Sequence, residues 1–296
     1  MRGRVIRVSG VQCLVEASDS RWQCELRGRV RARSGMNKPV VAGDWVEINA
    51  TSEGWAVVEE VYPRGSQISR ATSAARPREQ ILVVNADQCI IVVAACKPAL
   101  RQGFIDRAVV MAVKGGMEPI LCVNKIDLDP EGPWQGIAKV YEDVGYRVHA
   151  VSALTGEGLD SLTASLENKV SALVGQSGVG KSTVLNRLKP DLLLRTNSLM
   201  NKHDRGRHTT SAVELLELSE DSYVADTPGV KQLQPWGVNR ENLAEYFVEI
   251  APLVEDCHFG DCTHLSEPGC AVRAAVSEGH IDPSRYEGYC RLWEGL

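Results

Sequence analysis

The chain has 296 residues, 44% of them hydrophobic and 24% charged, with a formal net charge of −5. This is an ordinary globular composition, with room for two or three domains and a sizeable core. The longest apolar run, Cys89–Cys96, is too short to span a bilayer, and Met1–Val8 lacks the apolar stretch of a signal peptide.

A cytoplasmic protein without a membrane partner is therefore expected. Nine cysteines in a reducing compartment point to metal ligands or buried thiols rather than disulfides. The net charge hides an asymmetry. Residues 1–40 carry nine Lys/Arg against three acids, and residues 237–296 carry four Arg against eleven acids. A basic first segment suits contact with nucleic acid, and an acidic last one does not.

In chain order, short β-type runs at Arg4–Val8, Gln12–Glu16, Trp22–Leu26, Asp44–Asn49 and Trp55–Val61 predict five strands separated by polar turns. Five strands in so short a segment suit an all-β barrel of OB type, placed at residues 1–75. The connection 28–38 alternates basic and small residues, which fits either a loop that neutralises RNA phosphates or a solvated loop. Residues 62–80 read as a linker. Strands and helices then alternate: strands at Cys89–Ala95, Pro119–Val123, Arg147–Val151, Val213–Leu218 and Tyr223–Asp226, and helices at Gly103–Lys114, Leu159–Leu166, Ser182–Leu188 and Asn239–Ile250. This predicts an α/β domain over 76–236 with a mostly parallel sheet.

Gly175-Gln176-Ser177-Gly178-Val179-Gly180-Lys181-Ser182 matches the phosphate-loop pattern, with a β-prone run before it and an amphipathic helix after it. Backbone N–H groups of such a loop converge on an anion. Lys181 is expected to reach the β and γ phosphates and Ser182 to hold Mg²⁺, with Thr183 among the nucleotide-binding residues. Asn124-Lys125-Ile126-Asp127 follows a predicted strand. Its Asp127 carboxylate suits guanine N1–H and the 2-amino group together, while the Lys125 stem packs along the base. Ser152-Ala153, after another strand, places a backbone N–H on guanine O6. Asp226-Thr-Pro-Gly229 supplies an acid for Mg²⁺ through water and a γ-phosphate N–H from Gly229. All four follow strands, which puts them on the ligand-binding edge of one sheet. GTP and GDP are the expected ligands, and Asp127 disfavours a P-loop kinase or ATPase.

The order of these motifs is unusual, because the base-recognition segments precede the phosphate loop. One sheet can hold them all only if the chain is circularly permuted, with its opening after the Asp226–Gly229 switch. In Gln80–Asp87, Gly206–Ser211, the four nucleotide motifs and the cysteine cluster below, the sequence resembles the circularly permuted, ribosome small-subunit-dependent GTPases over nearly its whole length. The resemblance implies an OB barrel, a permuted P-loop G domain and a C-terminal zinc domain. It also implies a small-subunit partner contacted through 16S-type rRNA, and GTP hydrolysis in late subunit maturation that the subunit stimulates. It places switch I at Gly206–Ser211, with Thr210 (Thr209 as the fallback) on Mg²⁺ and the γ-phosphate; Ser211 stands where the family more often has threonine. The place after Gly229, often a water-orienting glutamine, holds Val230, which can neither donate nor accept. Unaided hydrolysis should then be slow, with His208 as the catalytic candidate. A GTP-gated RNA-binding switch with only slow intrinsic hydrolysis is the alternative.

Cys257, Cys262, His264 and Cys270 offer three thiolates and an imidazole at spacings that suit a closed, structural Zn²⁺ site; His258 is a weaker rival ligand. They fall in a mostly helical segment placed at 237–296. The protein is expected to be monomeric.

Overall fold

The computed structural model describes residues 1–27, 30, 40–72, 77–192, 213–227 and 233–296. The first five strands are β1 (Arg2–Ser9), β2 (Gln12–Ala17), β3 (Ser20–Leu26), β4 (Trp45–Ser52) and β5 (Trp55–Val61). They run in the order β1-β2-β3-β5-β4, and β1 pairs back to β4 to close an OB-type barrel. Alternation sends Cys13, Val15 and Ala17 of β2 inward, where they meet Val5, Cys24, Val46, Ile48, Ala56 and Val58.

The second half of the same eleven-stranded sheet holds β8 (Gln88–Ala94), β9 (Glu118–Asn124), β10 (Arg147–Val151), β11 (Val170–Gly175), β12 (Glu214–Ser219) and β13 (Ser222–Asp226), in the order β10-β9-β8-β11-β13-β12. All neighbours here are parallel except β12–β13. β12 also pairs antiparallel with β1 at Arg7 and Glu214, which joins barrel and sheet. Every residue of β8 is buried. Cys89, Ile91 and Val93 face α1 (Gln102–Lys114) and α2 (Trp134–Asp143); Ile90, Val92 and Ala94 face α3 (Leu159–Leu166) and α4 (Lys181–Leu188). Each such aliphatic side chain contributes about 2 kcal/mol on leaving water, so two covered faces select continuous apolar strands.

The last segment carries α5 (Ala271–Ser277) and α6 (Pro283–Glu294) after two 3₁₀ turns, Leu243–Tyr246 and Ala251–Asp256. Its core, with Leu243, Phe247, Ile250 and Tyr289, includes Val110 of α1. At that seam Arg285, fully buried, meets Asp106 and donates from Nε to Glu249 at 2.7 Å. Tyr141 donates to Asp106 at 2.7 Å.

Two expectations need correction. Residues 62–80 are not a plain linker: β6 (Gln67–Ala71) pairs antiparallel with β7 (Glu79–Val84), and Ile68 and Val83 are buried. The helix expected over Asn239–Ile250 reduces to the single 3₁₀ turn. There the Asn239 side chain accepts from the N–H groups of Glu241 and Asn242, and the Asn242 side chain accepts from Asn239. Such local capping competes with an α-helix. The helix Trp134–Asp143 was not anticipated.

Candidate nucleotide site and metal centre

The phosphate loop joins the C-terminal end of β11 to the start of α4. Glycine is required at two points. At Gly175 a Cβ would stand 2.5 Å from Val92 O, and at Gly180, where φ is +96°, it would stand 2.4 Å from Asn124 Nδ2. The loop carbonyls are tied outward. Val179 O accepts from Asn124 Nδ2 (2.9 Å), Gly178 O from Lys125 Nζ (2.6 Å), and Gly175 O from Lys181 Nζ (2.8 Å). The backbone N–H groups of residues 177–182 find no partner among the described residues, so they remain available to an anion. Ser177 and Gly178 are exposed at the tip, Val179 is buried, and Gln176 O also accepts from Lys181 (3.3 Å). Ser182 and Thr183 open α4, half-buried.

The segments expected from the sequence to recognise the base meet this loop. Asn124 ends β9, and its Oδ1 accepts from the Ala153 N–H at 3.0 Å while its Nδ2 holds Val179. Lys125 takes a left-handed turn with φ 66° and also donates to Lys97 O at 2.6 Å. Ser152 donates from Oγ to Asp127 Oδ1 at 2.6 Å. The structure thus brings Asn124, Lys125, Asp127, Ser152, Ala153 and the phosphate loop to one edge of the sheet.

Asp226 ends β13, next to β11. Its Oδ1 is buried and lacks a partner among the described residues. Burial pushes its carboxyl up and Lys181 opposes this, whereas burial pushes Lys181 down and Asp226 opposes that. An orphaned carboxylate oxygen beside a phosphate loop fits a water-bridged divalent cation. Thr210, His208, Gly229 and Val230 lie outside the described residues, as does most of the basic connection 28–38.

In the last segment the ligand atoms of Cys257, Cys262, His264 and Cys270 all lie within 4.8 Å of one another. His264 Nδ1 is 3.5 Å from Cys257 Sγ and 3.6 Å from Cys270 Sγ, and those two sulfurs are 3.9 Å apart. A tetrahedron with Zn–S of about 2.3 Å and Zn–N of about 2.0 Å has edges of about 3.5–3.8 Å, so the cluster fits zinc. His258 is outside it and packs edge-on against Phe259. Glu267 accepts from the N–H groups of Thr263, Leu265 and Ser266. Tyr286 and Tyr289 hold the carbonyls of His264 and Thr263.

Sequence reasoning missed the Arg285–Asp106–Tyr141 cluster and Arg187, whose guanidinium reaches the carbonyls of Ala153 and Leu154. No local pattern marks either one.

The phosphate-loop strand lies in the sheet between β8, which precedes it in the chain, and β13, which follows. With the segments around Asn124 and Ser152 also upstream of the phosphate loop, the molecule is of the circularly permuted GTPase class. Comparison with known proteins narrows this further. The RsgA GTPase family profile matches residues 61–236. A "Small ribosomal subunit biogenesis GTPase RsgA" from Caldanaerobacter subterraneus subsp. tengcongensis is 37% identical, covering 99% of this chain and 94% of that protein. One from Gemmatimonas aurantiaca is 38% identical, over 97% and 94%. The crystal structure of YjeQ from Thermotoga maritima aligns with a TM-score of 0.81 at 32% identity, covering 100% of this chain and 98% of that one. YloQ, described as a circularly permuted GTPase, aligns at 0.73 and 29% identity, over 98% and 93%. The chain belongs to the RsgA GTPase family and is a GTP hydrolase.

Proposed function

We propose that the protein binds the small ribosomal subunit and hydrolyses GTP during late subunit maturation, with the subunit stimulating hydrolysis. The observation that carries this reading is full-length similarity to relatives bearing the small-subunit biogenesis name, combined with a converged nucleotide edge. In this reading Asp127 accepts from guanine N1–H and the 2-amino group, Lys125 packs along the base, and the Ser152–Ala153 loop donates to O6. Residues 175–183 cradle the phosphates, with Lys181 on the β and γ groups. Ser182, Asp226 (through water) and Thr210 would hold Mg²⁺, which when bound neutralises charge on the β and γ oxygens. Gly229 donates to the γ-phosphate, and His208 orients the attacking water in place of the missing glutamine.

The barrel would contact 16S-type rRNA. Several of its arginines are already engaged: Arg7 with Glu214, Arg21 with Glu16 and Glu217, Arg27 with Glu59, and Arg2 over Trp45. That shifts the expected phosphate contacts toward Arg29, Arg31, Arg33 and Lys38. The acidic zinc segment suits ribosomal protein or exposed bases better than phosphates. For the division at 1–75, 76–236 and 237–296, the barrel and the last segment each have a core of their own, whereas the first boundary cuts the β6–β7 pair, whose Ile68 packs in the core of the sheet. No helix among the described residues is long and apolar enough to cross a membrane. A cytoplasmic monomer without a membrane partner completes the reading.

The test is GTP turnover with and without purified small subunits. Slow turnover alone and a large stimulation by subunits is expected. Tight GTP-dependent binding without stimulation would favour the slow switch instead. Replacing His208 by Ala should remove the stimulation while GTP affinity stays; unchanged stimulated turnover would exclude its catalytic role.

A further inference from the structure

In the loop after β10 the Leu154 N–H lacks a partner among the described residues, and one side chain holds the peptide it belongs to. Ser152 N–H donates to Glu157 O, Ala153 N–H to Asn124 Oδ1, Thr155 N–H to Ser152 Oγ, Gly156 N–H to Ser152 O, and Glu157 N–H to Thr155 Oγ1. Leu154 N–H has no partner among the described residues. Its side chain is 73% exposed and anchors nothing. The Ala153 carbonyl belongs to the same peptide unit, and Arg187 Nε donates to it at 3.2 Å. Arg187 Nη2 donates to the next carbonyl, Leu154 O, at 3.1 Å. In a planar trans peptide the N–H points opposite to the C=O, so fixing one direction fixes the other. The guanidinium is a rigid fork, suited to holding two successive acceptors.

Arg187 stands in the last turn of α4, the helix that begins at the phosphate-loop lysine. It therefore ties the base loop to the element that carries the phosphate contacts. We propose that Arg187 is a positioning residue for base selection: by holding Ala153 O it aims the Leu154 N–H at guanine O6. An aimed donor favours the guanine carbonyl and opposes the adenine amino group, which also donates. This rests on reading the Ser152–Ala153 loop as the guanine O6 loop.

The experiment compares GTP, 6-thio-GTP and ITP binding to the full-length wild type and Arg187→Ala. 6-Thio-GTP keeps N1–H and the 2-amino group but offers sulfur, a weaker acceptor, at position 6; ITP keeps O6 and lacks the 2-amino group. Wild type should prefer GTP to both. Losing the aimed Leu154 donor, about one hydrogen bond to O6, should lower GTP affinity by about tenfold. The preference for GTP over 6-thio-GTP should collapse while the preference over ITP stays. Zinc content should stay at the wild-type value, and any fall in the nucleotide-free melting temperature is common to all three nucleotides and leaves their ratios untouched. Equal losses for all three nucleotides, or no loss for GTP, would overturn the proposal. A wild type that does not distinguish GTP from 6-thio-GTP would overturn the O6-loop reading beneath it. Should Arg187→Ala not fold, Arg187→Met gives the same comparison, because it keeps the stem and removes every donor; it should show the same collapse of the 6-thio-GTP ratio, and an unchanged ratio would count against the proposal.

Discussion

Asn124 and Val179 stand 55 residues apart in the chain, and a 2.9 Å hydrogen bond from the amide of the first to the carbonyl of the second joins them. The other end of the same amide accepts from Ala153. One buried side chain thus connects three segments that the permuted chain delivers out of their customary order. Replacing Asn124 by Ala removes both bonds and leaves buried partners unsatisfied, a cost of about 2 kcal/mol. GTP affinity measured by titration calorimetry should fall by ~30-fold, while zinc content stays at the wild-type value.

Asp226 is held in a buried position with one oxygen unpartnered. Its folded-state affinity for a proton is raised, so the ionised form opposes folding above the ordinary carboxylate range, and this opposition disappears on protonation. Asp226→Asn should therefore melt higher than wild type in nucleotide-free protein at neutral pH. The gap should close as pH falls toward about 4. With GTP and Mg²⁺ the order should reverse, since the variant gains little from the ligand. Thermal melts across pH, with and without nucleotide, check both limbs.

Arg285 is buried between Asp106 on α1 and Glu249, with the Tyr141 ring 4.9 Å from its guanidinium. Removing the cation leaves two carboxylates desolvated without a partner. Arg285→Met should destabilise the protein by about 3–5 kcal/mol, read by urea unfolding. Adding Asp106→Leu and Glu249→Gln to that variant should recover much of the loss. If the single variant melts as wild type, the seam between the zinc segment and α1 does not depend on this cluster.

Cys257, Cys262, His264 and Cys270 would hold zinc with four protein ligands, which would leave no position for a reacting water. Cys262→Ser, or treatment with a strong chelator, should lower bound zinc from one per chain and loosen the 257–270 loop. Nucleotide binding should persist, because none of the four ligands reaches the phosphate loop. Metal analysis beside GTP titration separates the two outcomes.

Much of this was legible in the sequence because glycine, lysine and cysteine spacings report local geometry. The phosphate loop, the Asn124–Asp127 turn and the Cys₃His cluster each need particular residues within a few positions. The β6–β7 pair was hidden because Pro63, Gly65 and Pro77 punctuate it, and each strand is short. Over Asn239–Ile250 the apolar spacing of Leu243, Phe247 and Ile250 imitates a helix, but asparagine side chains capture the backbone N–H groups. Arg285 and Arg187 were invisible for a different reason. Their partners lie 179 and 34 residues away, and only the folded chain brings them together.

The central claim is that Asp127 reads a guanine beside the phosphate loop, and exchanging its chemistry tests it most directly. An amide in its place still accepts from N1–H but presents an N–H₂ where guanine also donates; xanthine offers a carbonyl there. Asp127→Asn should lose GTP affinity by about a hundredfold and gain affinity for XTP. Unchanged GTP binding with no gain for XTP would contradict the account.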